Sequence, residues 1–417
     1  MQPWMSDVPA AIVRVKAELR KSVPDLEARF RTLTAQLQRE VTAVVQEGRI
    51  GGAVPELHYS DLAAGHVPAP VADRIRRRGC VVVRGVFPAS RIASWNDQIG
   101  EYVERNHYAE KQQSRVGLDR YFATLAATSP QIYSLYWSRP QVSARQSDEL
   151  ARVRAALNRV WRQPSTEAPA FDAARECTYA DRLRRRRPGD TTLGLSPHAD
   201  GGSVERWCDP AYQRVYGEVL FGDPTRYDPF DATHRVSTEQ IPSPAVCSVF
   251  RTFQGWTALS QQGPGDGTLQ LIPIANLMGW IVLRALQPDV AGDDLCGAKA
   301  GNALPLDARW HAAAAEALVS IPRVQPGDTV WWHNDIIHAV EAEHRGKSSS
   351  NVIYIGAAPW CPKNAAFLPR QAPCFLEGRS CPDFAPEDYE VDFEGRATED
   401  DLTPLGRRQM GLDPWQT

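Results

Sequence analysis

Gly327-Asp-Thr-Val-Trp-Trp-His-Asn-Asp-Ile-Ile-His338 reads as a tight Gly-Asp turn, a short strand of β-branched and aromatic residues, and a histidine just beyond it. Working outward, further β-prone runs stand between Gly and Pro signals: Thr191 to Leu195, Ala245 to Phe253 and Thr268 to Ile274 before it, Asn351 to Ala357 after it. Near the start, Ile75-Arg-Arg-Arg-Gly-Cys-Val-Val-Val-Arg84 gives a helix end, a glycine stop and another strand. Many short strands without strand-helix-strand alternation favour an antiparallel double-sheet barrel, with helices as outer support, over a parallel sheet.

The helices are read from three- and four-residue spacing. Ile12, Val15 and Leu19, then Leu26, Phe30, Leu33, Leu37, Val41 and Val44, form an amphipathic element that stops at Gly48. Pro88 to Ser90 opens a second helix running to about Arg105, and residues 107–190 read as helix and loop. A long insertion fills 201–244, helix returns from Pro305 to Leu318, and the tail from 359 reads as an irregular wrap. We divide the chain into a helical element and linker (1–74), a barrel with helical insertions (75–360) and the wrap (361–417).

Composition narrows the partners. With 417 residues, 43% of them hydrophobic, the chain buries a substantial core, and a net charge of -3 gives no bias toward nucleic acid or an anionic membrane. The runs Arg76 to Arg78 and Arg184 to Arg187 read as solvated faces. Leu269 to Leu286 is apolar but broken by Gln270, Pro273, Asn276 and Arg284, which argues against a membrane span. The eight cysteines form no C-x-x-C pair and read as reduced thiols. No secretory pattern opens the sequence, so the expectation is a cytoplasmic protein acting on a small molecule.

His198-Ala-Asp200 follows the turn-prone run Gly194-Leu-Ser-Pro197. A lone His-x-Asp is cheap, since chance supplies on the order of one in a chain of this length, and His333-Asn-Asp335 fits too. Context separates them. A barrel-mouth metal site takes two ligands from one strand end and a third from a strand distant in sequence, and His338 serves His198 and Asp200 in that way. His333 and Asp335 have only His338 and His344 downstream, too close to come from another strand, and are read as supporting residues. Two imidazoles and one carboxylate on one face suit ferrous iron and leave positions for dioxygen and a bidentate oxo-acid.

With these residues in place, the chain resembles the Fe(II)/2-oxoglutarate-dependent oxygenase superfamily. Gly79 to Pro88, His198-x-Asp200, Gly265-Asp-Gly-Thr-Leu-Gln-Leu-Ile-Pro273 and the Gly327 to His338 stretch are similar to its first strand, proximal ligand pair, mid-barrel turn and distal-histidine strand. Ser196 to Trp207, Phe250 to Trp256 and Asn351 to Trp360 resemble, more closely, a bacterial and fungal family within it that includes fungal enzymes closing an aziridine ring on valine. The resemblance implies a double-stranded β-helix (jelly-roll, cupin-like) core, with His198, Asp200 and His338 holding Fe(II). It also implies 2-oxoglutarate and O2 as co-substrates, with hydroxylation or oxidative cyclisation of a small polar, amino-acid-like substrate and release of succinate and CO2.

One departure from that pattern concerns the co-substrate anchor. Where the superfamily carries an arginine or lysine on the last barrel strand, this chain has Ser348, Ser349, Ser350 and Asn351. Arg251 is the preferred substitute, followed by Lys347 and Arg345; alternation would turn Phe253 inward with Arg251. Gln254, Trp256, Arg206 and Trp207 are further pocket candidates. The rival readings are a metal-dependent cupin-like isomerase or hydrolase, and a non-catalytic metal- or ligand-binding barrel.

Overall fold

The computed structural model describes residues 3–62, 65–114, 131–192, 196–244 and 246–415. The strands are β1 (Glu56–His58), β2 (Cys80–Arg84), β3 (Ile132–Tyr133), β4 (Asp172–Glu176), β5 (Leu183–Arg186), β6 (His198–Ala199) and β7 (Phe253–Ala258). They continue as β8 (Leu269–Leu271), β9 (Leu304–Pro305), β10 (Val319–Ser320), β11 (Thr329–Trp332), β12 (His338–Val340), β13 (Ser350–Ala357) and β14 (Pro359–Trp360). One sheet has the order β1-β2-β11-β7-β13-β5-β3, a second has β10-β8-β12-β6-β9, and β14 pairs with β4. From β5 onward the chain passes back and forth between the two larger sheets, so strands far apart in sequence become neighbours. The result is a mixed α+β architecture with several sheets.

Strand alternation sorts the side chains into layers. Cys80 and Val82, Val330 and Trp332, and Val352 join Leu269 and Leu271 of the smaller sheet in one apolar cluster. Their neighbours Val81, Val83, Trp331, Ile353 and Ile355 point the other way, into a cluster shared with Ile92, Trp95, Ile99, Leu150 and Val153 of the covering helices Ala89–Arg105 and Asp148–Asn158. The smaller sheet is covered differently. Helices α1 (Val8–Ser22) and α2 (Leu26–Gly48) share a core with Ala199, Ile272, Ile337 and the helix Leu277–Arg284. That last helix is buried from Leu277 to Leu283, which accounts for the long apolar run.

Charged side chains fasten the N-terminal helices. Lys16 is buried and donates to the Ala291 carbonyl at 2.6 Å and to that of Asp294. Arg78 is also buried, between Glu40 at 3.0 Å and Glu47 at 2.6 Å. The reading of Arg76 to Arg78 as a solvated face is therefore corrected at Arg78, because a helix end facing α2 buries its last side chain. Gly79 adopts φ 69° just after it, ending the helix Ala69–Arg78 as expected.

Three further readings change. The segment 107–190 contains β3, β4 and β5, not helix and loop alone. The candidate strand ending at Phe253 instead begins there, because side chains of the tail take the preceding backbone: Phe250 N donates to Asn364 Oδ1 at 2.8 Å and Ser248 N to Asp383 Oδ2 at 2.7 Å. The tail itself carries the helices Leu368–Glu377 and Pro404–Met410, with Phe375 and Met410 in a core with Trp137. The candidate strand Thr191 to Leu195 lies partly outside the described residues. All eight cysteines are free, and all but the half-buried Cys247 are buried. Among the described residues no helix is long and apolar enough to cross a membrane.

Candidate metal centre and its cavity

Register brings the predicted ligands together. In the smaller sheet β12 lies between β6 and β8, and His338 pairs across to both His198 and Leu271. Asp200 is the residue immediately after β6. One donor atom from each of His198, Asp200 and His338 lies within 4.8 Å of the others, and among the described residues this is the group of three or more His, Cys, Asp or Glu with such spacing. His198 Nε2 is 3.3 Å from Asp200 Oδ1, and His338 Nε2 is 3.6 Å from Asp200 Oδ2.

The backbone fixes the tautomers. His198 Nδ1 is 2.7 Å from the Ser196 carbonyl and His338 Nδ1 is 3.1 Å from that of Ile336. A carbonyl only accepts, so each Nδ1 carries the proton and each neutral ring turns its Nε2 lone pair toward Asp200. Lone-pair donors this close repel unless a cation sits among them. Without a metal, a proton serves: burial opposes charge on His198, but the hydrogen bond to Asp200 raises its pKa above the usual histidine value. Burial pushes His338 down to about 4 against the opposing pull of Asp200. Burial also opposes ionisation of Asp200, yet His338, His198 and Arg251 together hold it well below the usual carboxylate range. The donor set fits a divalent metal bound on one face.

The cluster opens on a cavity between the sheets, walled by Trp256, Trp332, Val352 and Tyr354 of the larger sheet and by Leu269 and Val340 of the smaller one. Arg251 lines it, is 6% exposed, and its Nε has no hydrogen-bond partner among the described residues. Phe253 does not share that direction. It lies in the outer cluster, because β7 begins at Phe253 and the alternation does not extend back to Arg251. Gln254 and Trp256 do line the cavity, as expected. Arg345 and Lys347 are exposed in the turn between β12 and β13 and are absent from the lining, so they are not brought to the cluster.

Arg206 and Trp207 are likewise elsewhere. Trp207 Nε1 donates to the Val282 carbonyl in the core under the smaller sheet. Arg206 pairs with Asp335 at 2.7 Å, and Arg235 reaches the same carboxylate at 2.9 Å. His333 stacks on Trp161 with centroids 4.9 Å apart, and burial pushes its pKa down to about 3, so it is neutral. Its Nδ1 accepts from Asp335 N at 3.0 Å, which shapes the turn that delivers His338.

Sequence reasoning missed Arg184. On β5 it pairs in register with Val352 and lines the cavity, with Tyr354 as its side-chain partner. Arg186, two residues on, is fully buried and donates to the Gly267, Glu341 and Asp190 carbonyls. Four consecutive arginines conceal a period-two strand, whose local signal lay in the apolar Leu183 before them.

Comparison with known proteins follows the same outline. The Gig2-like family model matches residues 6–412. YbiU, an uncharacterized protein of Escherichia coli (strain K12), is 42% identical over 411 residues, covering 98% of this chain and 97% of that one. A crystal structure from Salmonella typhimurium LT2, provisionally named an oxidoreductase, is 40% identical with a TM-score of 0.91, covering 99% of this chain and 98% of that one. The structure of GlcNAc Inducible Gene 2 from Candida albicans is 26% identical with a TM-score of 0.81, covering 97% and 90%. By a match that spans nearly its whole length, the chain belongs to the Gig2-like family.

Proposed function

We propose that this protein is a non-haem Fe(II)/2-oxoglutarate-dependent oxygenase built on a double-stranded β-helix, with His198, Asp200 and His338 as the metal ligands. The observation that carries this reading is the convergence of three oriented donors, from β6, its flank and β12, on one face of a cavity between two sheets. The strand order supports the core assignment: β5-β13-β7-β11 faces β10-β8-β12-β6, as eight strands wound alternately into two sheets would do. The provisional oxidoreductase name of the Salmonella relative accords with it.

Bound there, ferrous iron with 2-oxoglutarate and dioxygen supplies abstraction of hydrogen from an unactivated C–H, with release of succinate and CO2. The chain's own residues do the rest. Ser196 and Ile336 carbonyls orient the two imidazoles, and the ionised Asp200 offsets part of the metal charge. The apolar walls of Trp256, Trp332, Leu269 and Val340 exclude water. A cavity guanidinium, Arg251 or Arg184, holds the far carboxylate of the co-substrate.

The test is anaerobic reconstitution with ferrous ion followed by addition of 2-oxoglutarate, oxygen and a panel of small polar compounds, amino acids first. Succinate release that needs both iron and oxygen, and is lost in H198A, D200A and H338A, is expected. Stoichiometric metal binding without 2-oxoglutarate turnover would favour the isomerase, hydrolase or binding-module readings, and absence of metal binding would remove the metal reading altogether.

A further inference from the structure

Among the described residues, the cavity holds one more cation without an ion pair than the co-substrate needs. Arg182 lies 3.7 Å from Asp181, so those two charges offset each other. Arg251 and Arg184 are different. Neither has an ion pair among the described residues: the side-chain partner of Arg184 is the Tyr354 hydroxyl, and Arg251 lies over the Tyr179 ring at 5.4 Å. A divalent metal is balanced by Asp200 and by the near carboxylate of 2-oxoglutarate. The far carboxylate then neutralises one arginine. The other guanidinium, facing the cavity between the sheets with no anion beside it, is left uncompensated, so its position implies a further anionic ligand.

The two arginines occupy opposite ends. Arg184 pairs with Val352, whereas the stem of Arg251 packs on Gly356, where a Cβ would lie 3.3 Å from its Cδ. Four residues of β13 separate these levels, about 13 Å along an extended strand. Arg251 is the one at the metal end: it lines a second, smaller cavity together with Asp200 and Asn334, and Asn334, in the turn before His338, donates to its carbonyl at 2.6 Å. Its neighbours are loop residues, Tyr179 beneath the guanidinium and Phe384 with its ring 6.0 Å from that of Tyr179, whereas Arg184 is borne on a strand and meets Val352 and Tyr354 of the strand beside it. Strand-borne groups suit a constant co-substrate, and loops are where specificity for a variable one is built.

We propose that Arg251 receives an anionic group, of carboxylate class, on the primary substrate, and that Arg184 with Tyr354 receives the far carboxylate of 2-oxoglutarate. The inference rests on the oxygenase reading above and revises the expectation that Arg251 anchors the co-substrate. It makes the substrate a small anion or zwitterion whose carboxylate is held beside the metal, leaving a C–H of its body to face the open coordination positions.

The experiment uses the full chain loaded anaerobically with Mn(II), which binds without turnover, and follows quenching of the cavity tryptophans Trp256 and Trp332. 2-Oxoglutarate is titrated first, then a panel of three- to six-carbon monocarboxylates into the loaded protein. R184Q is expected to weaken 2-oxoglutarate by about tenfold or more, the loss of a charge-assisted bidentate contact. R251Q is expected to leave 2-oxoglutarate within about threefold of wild type yet abolish saturable monocarboxylate binding, and R251K to restore part of it. Unchanged Mn(II) stoichiometry in each variant certifies its fold. The proposal is overturned if R251Q, and not R184Q, weakens 2-oxoglutarate, or if no monocarboxylate binds in an Arg251-dependent way. Wild-type protein that binds neither Mn(II) nor 2-oxoglutarate would instead sink the oxygenase reading beneath it.

Discussion

Replacing Asp335 by asparagine keeps the side chain's size and removes its charge from between two guanidinium groups. Side-chain exposure is 2% for Asp335, 0% for Arg206 and 7% for Arg235, so no solvent is at hand to take over. Removing one partner of a buried charge network costs about 3–5 kcal/mol, because the remaining charge is uncompensated. Here the survivors keep some contacts: Arg206 donates to the Gly202 carbonyl and the Tyr216 hydroxyl, and Arg235 to the Tyr227 hydroxyl. These place D335N near the low end, about 3 kcal/mol, read as a drop of several degrees in melting temperature. Because Arg206, which the carboxylate holds, also donates to the Gly202 carbonyl two residues beyond Asp200, Mn(II) affinity should fall by about tenfold, as for groups that orient a ligand from behind. Equilibrium dialysis measures the second effect and thermal denaturation the first. A D335N protein with unchanged melting temperature and unchanged metal affinity would refute the claim that this buried carboxylate, through Arg206, braces the loop that follows Asp200. Recovery of melting temperature in D335N/R206M would support it, since apolar replacement removes the orphaned charge.

His338→Ala removes one of three donors and should weaken Mn(II) by roughly a hundredfold or more in dialysis, beyond what loss of an orienting group does; wild-type affinity would exclude His338 from the site. Gly327→Ala should fold poorly, because φ is 97° there and a Cβ would meet the Phe87 carbonyl oxygen at 2.2 Å; a soluble protein with wild-type melting would contradict that close approach. Glu390 is buried, accepts from the Tyr136 and Trp137 amides and the Tyr102 hydroxyl, and burial raises its pKa from 4.5 to about 7. The folded state therefore holds its proton better than the unfolded chain, so this stabilisation is full below 4.5 and lost as pH rises through 7. Melting temperature of wild type should fall relative to E390Q between pH 5 and pH 8, and parallel profiles would show that burial does not govern this group.

What could be read from sequence was whatever is encoded locally. The N-terminal helical element, the Gly79 stop and the strand beginning at Cys80 depend on spacing and on one glycine, and they stand where expected, except that the element is broken after Ser22 into two helices. His198, Asp200 and His338 were separable from the rival His333 and Asp335 because ligand strands must be distant in sequence yet adjacent in a sheet, and β6 does pair with β12. The inward turn of Arg184 depends on which strand β5 meets, a fact no local window holds. The helix Leu368–Glu377 was hidden by Pro373 within it, a residue that ordinarily breaks a helix interior. Here burial of Ala372, Cys374 and Phe375 against the third core outweighs the missing amide.

The tail also explains why Arg251 escapes the alternation of its strand. Asn364 donates from Nδ2 to the Phe250 carbonyl at 2.8 Å and accepts from Phe250 N at 2.8 Å, so its amide stands in for a neighbouring strand at that residue. From the other side Asn334 donates to the Arg251 carbonyl at 2.6 Å, and Thr252 N reaches the Ala357 carbonyl at 2.9 Å, where the ladder takes over. Arg251 thus sits at the point where backbone partners change from tail side chain to sheet, free of the pleat that would have alternated its direction. Asn334 lies in the turn that delivers His338, so the cation and the distal histidine share a frame and keep their spacing. On the proposed reading, with a metal at His338 and a substrate anion at Arg251, bracing by the same turn would hold that substrate at a fixed distance from the reacting centre, which is the geometric requirement for selecting one C–H among several.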